Sequence, residues 1–228
     1  MSTIAANIST LEQRIRTASL AAQRDPASVG LLAVSKTKPS SALREAYAAG
    51  LRDFGENYLQ EALGKQAELA DLPLCWHFIG PIQSNKTRAI AENFAWVHSV
   101  DRLKIAQRLS EQRPEGLEPL NICIQVNVSG EASKSGCTPE DLPALAAAIS
   151  ALPRLKLRGL MAIPEPTEDQ AKQAAAFAAV RTLQDHLDLP LDTLSMGMSH
   201  DLEAAIAQGA TWVRIGTALF GARDYGQP

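Results

Sequence analysis

Apolar positions along the chain follow two rhythms. The first is helical: Ile4, Ile8, Leu11 and Ile15 recur at steps of four, three and four, with Glu12, Arg14 and Arg16 elsewhere on the wheel. That spacing predicts an amphipathic N-terminal helix, which Asp25-Pro26 stops. From Leu31 onward, short apolar runs flanked by turn residues alternate with longer segments of helical period. The runs predict strands at 31–35, 52–55, 75–80, 96–100, 120–128, 156–161, 193–195 and 211–215. Helical segments fall between them, for example at 41–49, 103–111, 140–152 and 169–187. Such alternation implies parallel strands joined by crossover helices, and eight repeats predict a closed α/β barrel of the (β/α)8 TIM type. An open doubly wound sheet is the competitor. It would be favoured by a glycine fingerprint after the first strand, and Ser35-Lys36-Thr37-Lys38-Pro39 contains no glycine. No low-complexity linker or charge run marks a boundary, so residues 1–228 read as one barrel domain, with the helix of residues 1–25 packed on it.

Composition narrows the class. The 228 residues carry 22 Lys+Arg against 25 Asp+Glu, a net charge of −3, which lacks the basic excess of a general nucleic-acid binder. Apolar residues at 46% and charged residues at 21% suit a globular chain with a core of its own. The cysteines Cys75, Cys123 and Cys137 are odd in number and far apart, so no disulfide framework or C-x-x-C motif is expected. No apolar stretch is long enough to span a bilayer, and the N-terminus does not read as a secretion signal. The cytoplasm is the expected compartment.

In a parallel barrel, chemistry collects where strands end. Those ends offer Lys36, Glu56-Asn57, His77, Ser99, Asn127, Met161, Ser199 and Arg214. Alternation places Leu32, Val34 and Lys36 on one face of the first strand, inward if that strand is buried. A poorly hydrated lysine there has a lowered pKa and can attack an aldehyde. On position alone, a lysine whose head reaches solvent is the plainer reading. In the last strand, Val213 and Ile215 share one parity, and Trp212 and Arg214 the other, which aims Arg214 into the lumen. A guanidinium keeps its proton, so it needs an acceptor or an anion there, an ion pair with Glu56 being the structural alternative. Gly216-Thr217 opens a short helical segment whose first amides, with glycine allowing close approach, make an anion cradle. Ser199, just before His200-Asp201-Leu202-Glu203, reads as a helix N-cap that could also face an anion. Together these features after strands seven and eight point to a phosphorylated ligand.

Other motifs fail. Gly216 and Gly221 have P-loop spacing, but Ala222-Arg223 stands where Lys-Ser/Thr is required. The four histidines show neither H-x-H nor H-E-x-x-H, so no metal centre is expected. No G-x-S-x-G elbow exists. His77, beside Trp76 and Phe78, is by default a satisfied core histidine, and by the sharper reading a neighbour of a ligand ring. Lys134 reads as a loop charge.

An amine for an aldehyde, a phosphate cradle and a lumenal arginine describe a site for pyridoxal 5'-phosphate. The segments Leu32-Ala33-Val34-Ser35-Lys36-Thr37-Lys38, Phe54-Gly55-Glu56-Asn57-Tyr58-Leu59-Gln60-Glu61, Trp76-His77-Phe78-Ile79-Gly80 and Gln83-Ser84-Asn85-Lys86 closely resemble the YggS/PROSC family of pyridoxal phosphate homeostasis proteins. So do Ser133-Lys134-Ser135-Gly136, Arg158-Gly159-Leu160-Met161, Ser195-Met196-Gly197-Met198-Ser199 and Val213-Arg214-Ile215-Gly216-Thr217. The resemblance implies a barrel like the cofactor domain of bacterial alanine racemase. It implies that Lys36 is the Schiff-base lysine, that Ser199, Gly216 and Thr217 hold the phosphate, and that Met198 belongs to the same cofactor-binding stretch. Asn57 and His77 would lie around the ring, and Arg214 would face the pyridine nitrogen. An arginine there leaves that nitrogen unprotonated and the ring a weak electron sink. The implied role is a carrier that holds, buffers or delivers the cofactor, with transient contacts to apo-enzymes and no established reaction. A racemase-like enzyme is the alternative, but it needs a second acid/base, and the tyrosines are only Tyr47, Tyr58 and Tyr225. An imine-forming aldolase is a third reading. A monomer is expected, since no apolar surface stripe is evident.

Overall fold

Eight parallel strands close on themselves in chain order. In the computed structural model, which describes residues 3–130 and 135–222, they are β1 Gly30–Val34, β2 Asp53–Glu56, β3 Cys75–Phe78, β4 Trp96–Val100, β5 Leu120–Gln125, β6 Leu155–Met161, β7 Thr193–Ser195 and β8 Trp212–Ile215. Each strand pairs in parallel with the next, and β8 returns to β1 through the register Leu32 opposite Arg214. Around the barrel lie α1 Ile4–Ala21, α2 Ser40–Ala48, α3 Leu59–Glu68, α4 Thr87–Asn93, α5 Leu103–Gln112, α6 Leu142–Ser150, α7 Gln170–Asp185, α8 Leu202–Ala207 and α9 Thr217–Phe220. The barrel expected from the alternation is the observed fold.

Strand alternation splits the core in two. Outward residues such as Phe54, Val97, Ile122, Leu160 and Val213 pack beneath the helices in one continuous cluster. Inward residues Trp96, Cys123 and Met161 form a small apolar cluster in the lumen. Strands such as β4 and β7 are buried on both faces. On α1, Ile8, Leu11 and Ile15 are buried as their spacing demands, each stabilising by about 2 kcal/mol. This helix packs against α2, α8 and α9, and Asn7 Nδ2 donates to the Leu219 carbonyl at 2.8 Å.

Several boundaries differ from the sequence expectation by a residue or more, and three of them have an evident local reason. The first helix ends at Ala21, because Gln23 takes φ +57° and the Arg24 amide turns back to the Ser19 carbonyl; Asp25 instead caps the 3-10 turn Pro26–Ser28. β5 stops at Gln125 because Asn127 bonds to the Cys137 carbonyl and Cys137 to that of Gln125, so the chain pairs with its own loop. β3 stops at Phe78, where Gly80 crosses the Asn57 backbone so closely that a Cβ would lie 2.3 Å from the Asn57 carbonyl oxygen. Among the described residues, no helix is long and apolar enough to cross a membrane.

The tightest seam lies between β6 and β7. A Cβ on Gly159 would fall 1.7 Å from the Thr193 carbonyl oxygen, an overlap with backbone that no rotamer relieves. Gly159→Ala is expected to destabilise the fold by about 3 kcal/mol, the upper part of the usual overpacking range. Urea unfolding measures it, and an unchanged midpoint would contradict the seam.

Candidate functional site

At the mouth formed by the strand ends lies a cavity of about 350 Å³. β1 leads to Lys36, β2 to Asn57, β3 to Ile79, the turn after β7 to Met198 and Ser199, β8 supplies Arg214, and the start of α9 supplies Gly216 and Thr217. Val34, Ile163 and His200 complete the wall. Among the described residues, the lining thus carries lysine, arginine and histidine side chains and no carboxylate, which favours an anionic guest.

Lys36 sits on a backbone pinned from both sides. The Ser35 hydroxyl donates to Glu56 Oε1 at 2.6 Å, and its carbonyl accepts from Lys65 Nζ at 2.6 Å. On the far side, Thr37 takes φ +64° and its amide donates to Glu61. Lys65 joins the two halves, since it also donates to Glu56 at 2.8 Å and to Glu61 at 2.6 Å. Burial raises the Glu56 carboxyl above its usual range, with Lys65 acting against the shift, and among the described residues Glu56 Oε2 is buried without a hydrogen-bond partner. Glu56 is therefore the partner of Lys65 and Ser35, not of Arg214.

Arg214 points into the lumen, as its parity requires. Its Nη1 donates to Ser195 Oγ at 2.8 Å and its Nη2 to the Ala162 carbonyl at 3.0 Å. Burial pushes it down to about 10, so it remains protonated at neutral pH. Asn57 is held under Gly80, whose carbonyl accepts from Ser99 Oγ. Among the described residues Asn57 Oδ1 is buried with no hydrogen-bond partner, an orphaned acceptor in the cavity wall.

Seven of the eight sequence-derived site residues meet in this cavity: Lys36, Asn57, Met198, Ser199, Arg214, Gly216 and Thr217. His77 does not. It lies wholly buried in the lumen, with Nδ1 bonded to His98 and Nε2 to Asp53, so the core-histidine alternative describes it. Ser199 is not the helix cap either. Asp201 occupies that position and accepts from the Met198 amide at 2.6 Å, which leaves the Ser199 hydroxyl to the cavity and its carbonyl to Arg14 of α1 at 3.0 Å. Lys134 and Tyr225 lie outside the described residues. The sequence reading missed Lys65, whose only local signal was a carboxylate four residues earlier, and the apolar walls Ile79 and Ile163.

Comparison with known proteins follows this geometry. A family profile described as alanine racemase, N-terminal domain, matches residues 2–224. A pyridoxal phosphate homeostasis protein of Pseudomonas aeruginosa is 79% identical over 228 residues, covering 100% of this chain and 99% of that one. One of Escherichia coli is 53% identical over 235 residues, covering 99% of each chain. The chain belongs to the pyridoxal phosphate homeostasis protein family. A solved relative of 48% identity, PipY of Synechococcus elongatus with PLP bound, superposes with a TM-score of 0.81 and covers 90% of this chain and 98% of its own. For this family member, the resemblance read from the motifs and the observed barrel agree.

Removing Lys65 would leave Glu56 buried and unpaired, which typically costs about 3–5 kcal/mol. A carboxyl whose folded pKa is raised stabilises most below its unfolded value of 4.5 and loses that contribution as pH rises through the folded pKa. Lys65→Met should therefore destabilise more at pH 7 than at pH 5, and adding Glu56→Gln should recover part of the loss. Denaturant titrations at the two pH values check this; an equal loss at both would contradict it.

Proposed function

We propose that this chain is a pyridoxal 5'-phosphate carrier, which holds the cofactor through Lys36 and buffers or delivers it without catalytic turnover. The observation that carries the reading is the cavity itself: an amine and a guanidinium, an orphaned buried acceptor on Asn57, and hydroxyls and amides after β7 and β8 around one anion-friendly space. Family membership and the PLP-bound relative support the same ligand.

Bound pyridoxal 5'-phosphate brings an aldehyde that condenses reversibly with amines, a phosphate and an acceptor ring nitrogen. Lys36 offers the amine from a backbone that Lys65 and Glu61 hold still. Ser199 and Thr217 offer hydroxyls to the phosphate, and the first two α9 amides, Thr217 and Ala218, offer N–H groups; they precede the Leu219 and Phe220 amides that bond the Gly216 carbonyl. Arg214, always protonated, can only donate, so it suits the ring nitrogen and keeps a proton off it. Without a proton there the ring draws electrons weakly, which suits storage more than carbanion chemistry. Racemisation would also need an acid/base on the far side of the ring. Among the described residues no tyrosine lines the cavity: Tyr58 is 53% exposed at the start of α3, and Tyr47 stacks under Arg52. The thiols Cys75 and Cys123 are pushed up to about 12, and Cys137 to about 11, so none exchanges protons near neutrality.

Protein mixed with pyridoxal 5'-phosphate and desalted is expected to keep a visible absorption band, and borohydride should fix the label on the peptide containing Lys36. Lys36→Ala should abolish fixation at that peptide; label retained elsewhere at full stoichiometry would overturn the assignment. Ser199→Ala or Thr217→Val is expected to speed cofactor loss several-fold, and unaltered retention would remove the phosphate assignment. Incubation of the loaded protein with single amino-acid enantiomers should give no racemisation at enzyme-like rates; steady turnover would replace the carrier reading with the racemase one.

A further inference from the structure

A second set of polar groups runs through the barrel beneath the cavity. Arg214 Nη1 contacts Ser195 Oγ at 2.8 Å, Ser195 Oγ contacts His98 Nδ1 at 2.7 Å, His98 Nε2 contacts His77 Nδ1 at 2.9 Å, and His77 Nε2 contacts Asp53 Oδ1 at 2.9 Å. Ser195, His98 and His77 are fully buried, and Arg214 nearly so. Asp53, the first residue of β2, lies at the opposite mouth and lines a separate hollow of about 330 Å³. The set therefore runs from one end of the barrel to the other.

Its hydrogen bonds can point only one way. A guanidinium has no acceptor, so Arg214 donates and Ser195 Oγ accepts. At the other end the Asp53 carboxylate only accepts, so a neutral His77 donates there through Nε2 and has an acceptor at Nδ1; His98 therefore takes the Ser195 proton at Nδ1 and carries its own on Nε2. That proton goes to His77 Nδ1, and the His77 proton, on Nε2, goes to the Asp53 carboxylate. Both rings are therefore neutral Nε2–H tautomers. Burial lowers the pKa of both histidines, with His77 and Arg214 also acting on His98, so each stays uncharged at neutral pH. Trp96 stacks on His77 at 5.4 Å and 7°, and Trp212 meets the same ring edge-on at 5.1 Å, which fixes its plane.

We infer that Asp53, His77, His98 and Ser195 form a one-way hydrogen-bond relay that positions Arg214 at the cavity, toward the ring nitrogen of pyridoxal 5'-phosphate. The second half of this inference rests on the cofactor reading above. The relay residues are positioning residues, since none but Arg214 lines the cavity. With the Ser195 proton committed to His98, its lone pairs are left for Arg214, and the Ala162 carbonyl holds the other nitrogen. Asp53, Cys75 and His77 also place three potential metal ligands within 4.8 Å of one another. The direct Asp53–His77 bond makes this cluster the terminus of the relay, with Cys75 Sγ 3.5 Å from the same His77 nitrogen.

Long-range proton–nitrogen NMR of the cofactor-free protein reads the tautomers directly. Both His77 and His98 are expected as neutral Nε2–H rings at pH 7; an Nδ1–H or doubly protonated ring at either position would overturn the relay. In protein loaded with pyridoxal 5'-phosphate, Asp53→Leu removes the terminal acceptor, while Asp53→Asn keeps one. The leucine variant should release the cofactor at least threefold faster and shift the visible band, and the asparagine variant should stay within twofold of the parent. Release and band unchanged in a folded Asp53→Leu protein would overturn the positioning role. Failure of the parent to take up the cofactor would instead overturn the carrier reading, and the tautomers would still decide the relay.

Discussion

A closed barrel gives an inward side chain no water to fall back on, so every polar group in the lumen must find its partner among the strands. Arg214 makes that constraint severe, because its charge cannot be shed. The chain meets it with oxygen acceptors on two neighbouring strand ends, Ser195 and the Ala162 carbonyl, and with a line of neutral imidazoles leading to a carboxylate at the far mouth. Apolar groups, among them Trp96, Trp212, Cys123 and Met161, pack around this polar line. A buried cation held in this way keeps its orientation through neutral oxygen acceptors, with the Asp201 carboxylate acting on it through space.

The same economy governs the other side of the cavity. Lys36 is presented by a turn with a left-handed Thr37, a conformation that costs about 1 kcal/mol or more for a residue bearing a Cβ. That turn persists because Lys65, reaching up from α3, ties Ser35, Glu56 and Glu61 into one cluster. Two lysines nearby thus do opposite work: Lys65 is committed to structure, and Lys36 is delivered to the cavity. α1 takes part as well, since Arg14 bonds both Glu203 and the Ser199 carbonyl and so braces the wall where the phosphate is assigned.

Strand parity made much of this legible in the sequence. It aimed Arg214 inward, put Lys36 on the line of Leu32 and Val34, and the eightfold alternation announced the closed sheet. Where sequence reading went astray, long-range pairing was the cause. Ser199 sits where a cap belongs, yet Asp201, two residues on, has the reach to bond back to Met198. His77 was read toward a ligand ring because its partners cannot be seen locally: Asp53 is 24 positions away and His98 is 21. Ser195 and His98 are separated by 97 positions and come together only when the barrel closes. Lys65 has no sequence signal beyond Glu61 four residues earlier, and its bond to Glu56 exists only where β2 and α3 lie side by side.

What unites these observations is a cavity in which the backbone around Lys36, the Arg214 guanidinium and the Ser199 carbonyl are held by Lys65, Ser195 and Arg14, none of which lines it. The most direct measurement is a crystal structure of the protein soaked with pyridoxal 5'-phosphate. The account predicts continuous density from Lys36 Nζ, the phosphate beside Ser199 and Thr217, and the ring nitrogen within hydrogen-bonding distance of Arg214. Density on another lysine, or a phosphate seated away from β7 and β8, would contradict it.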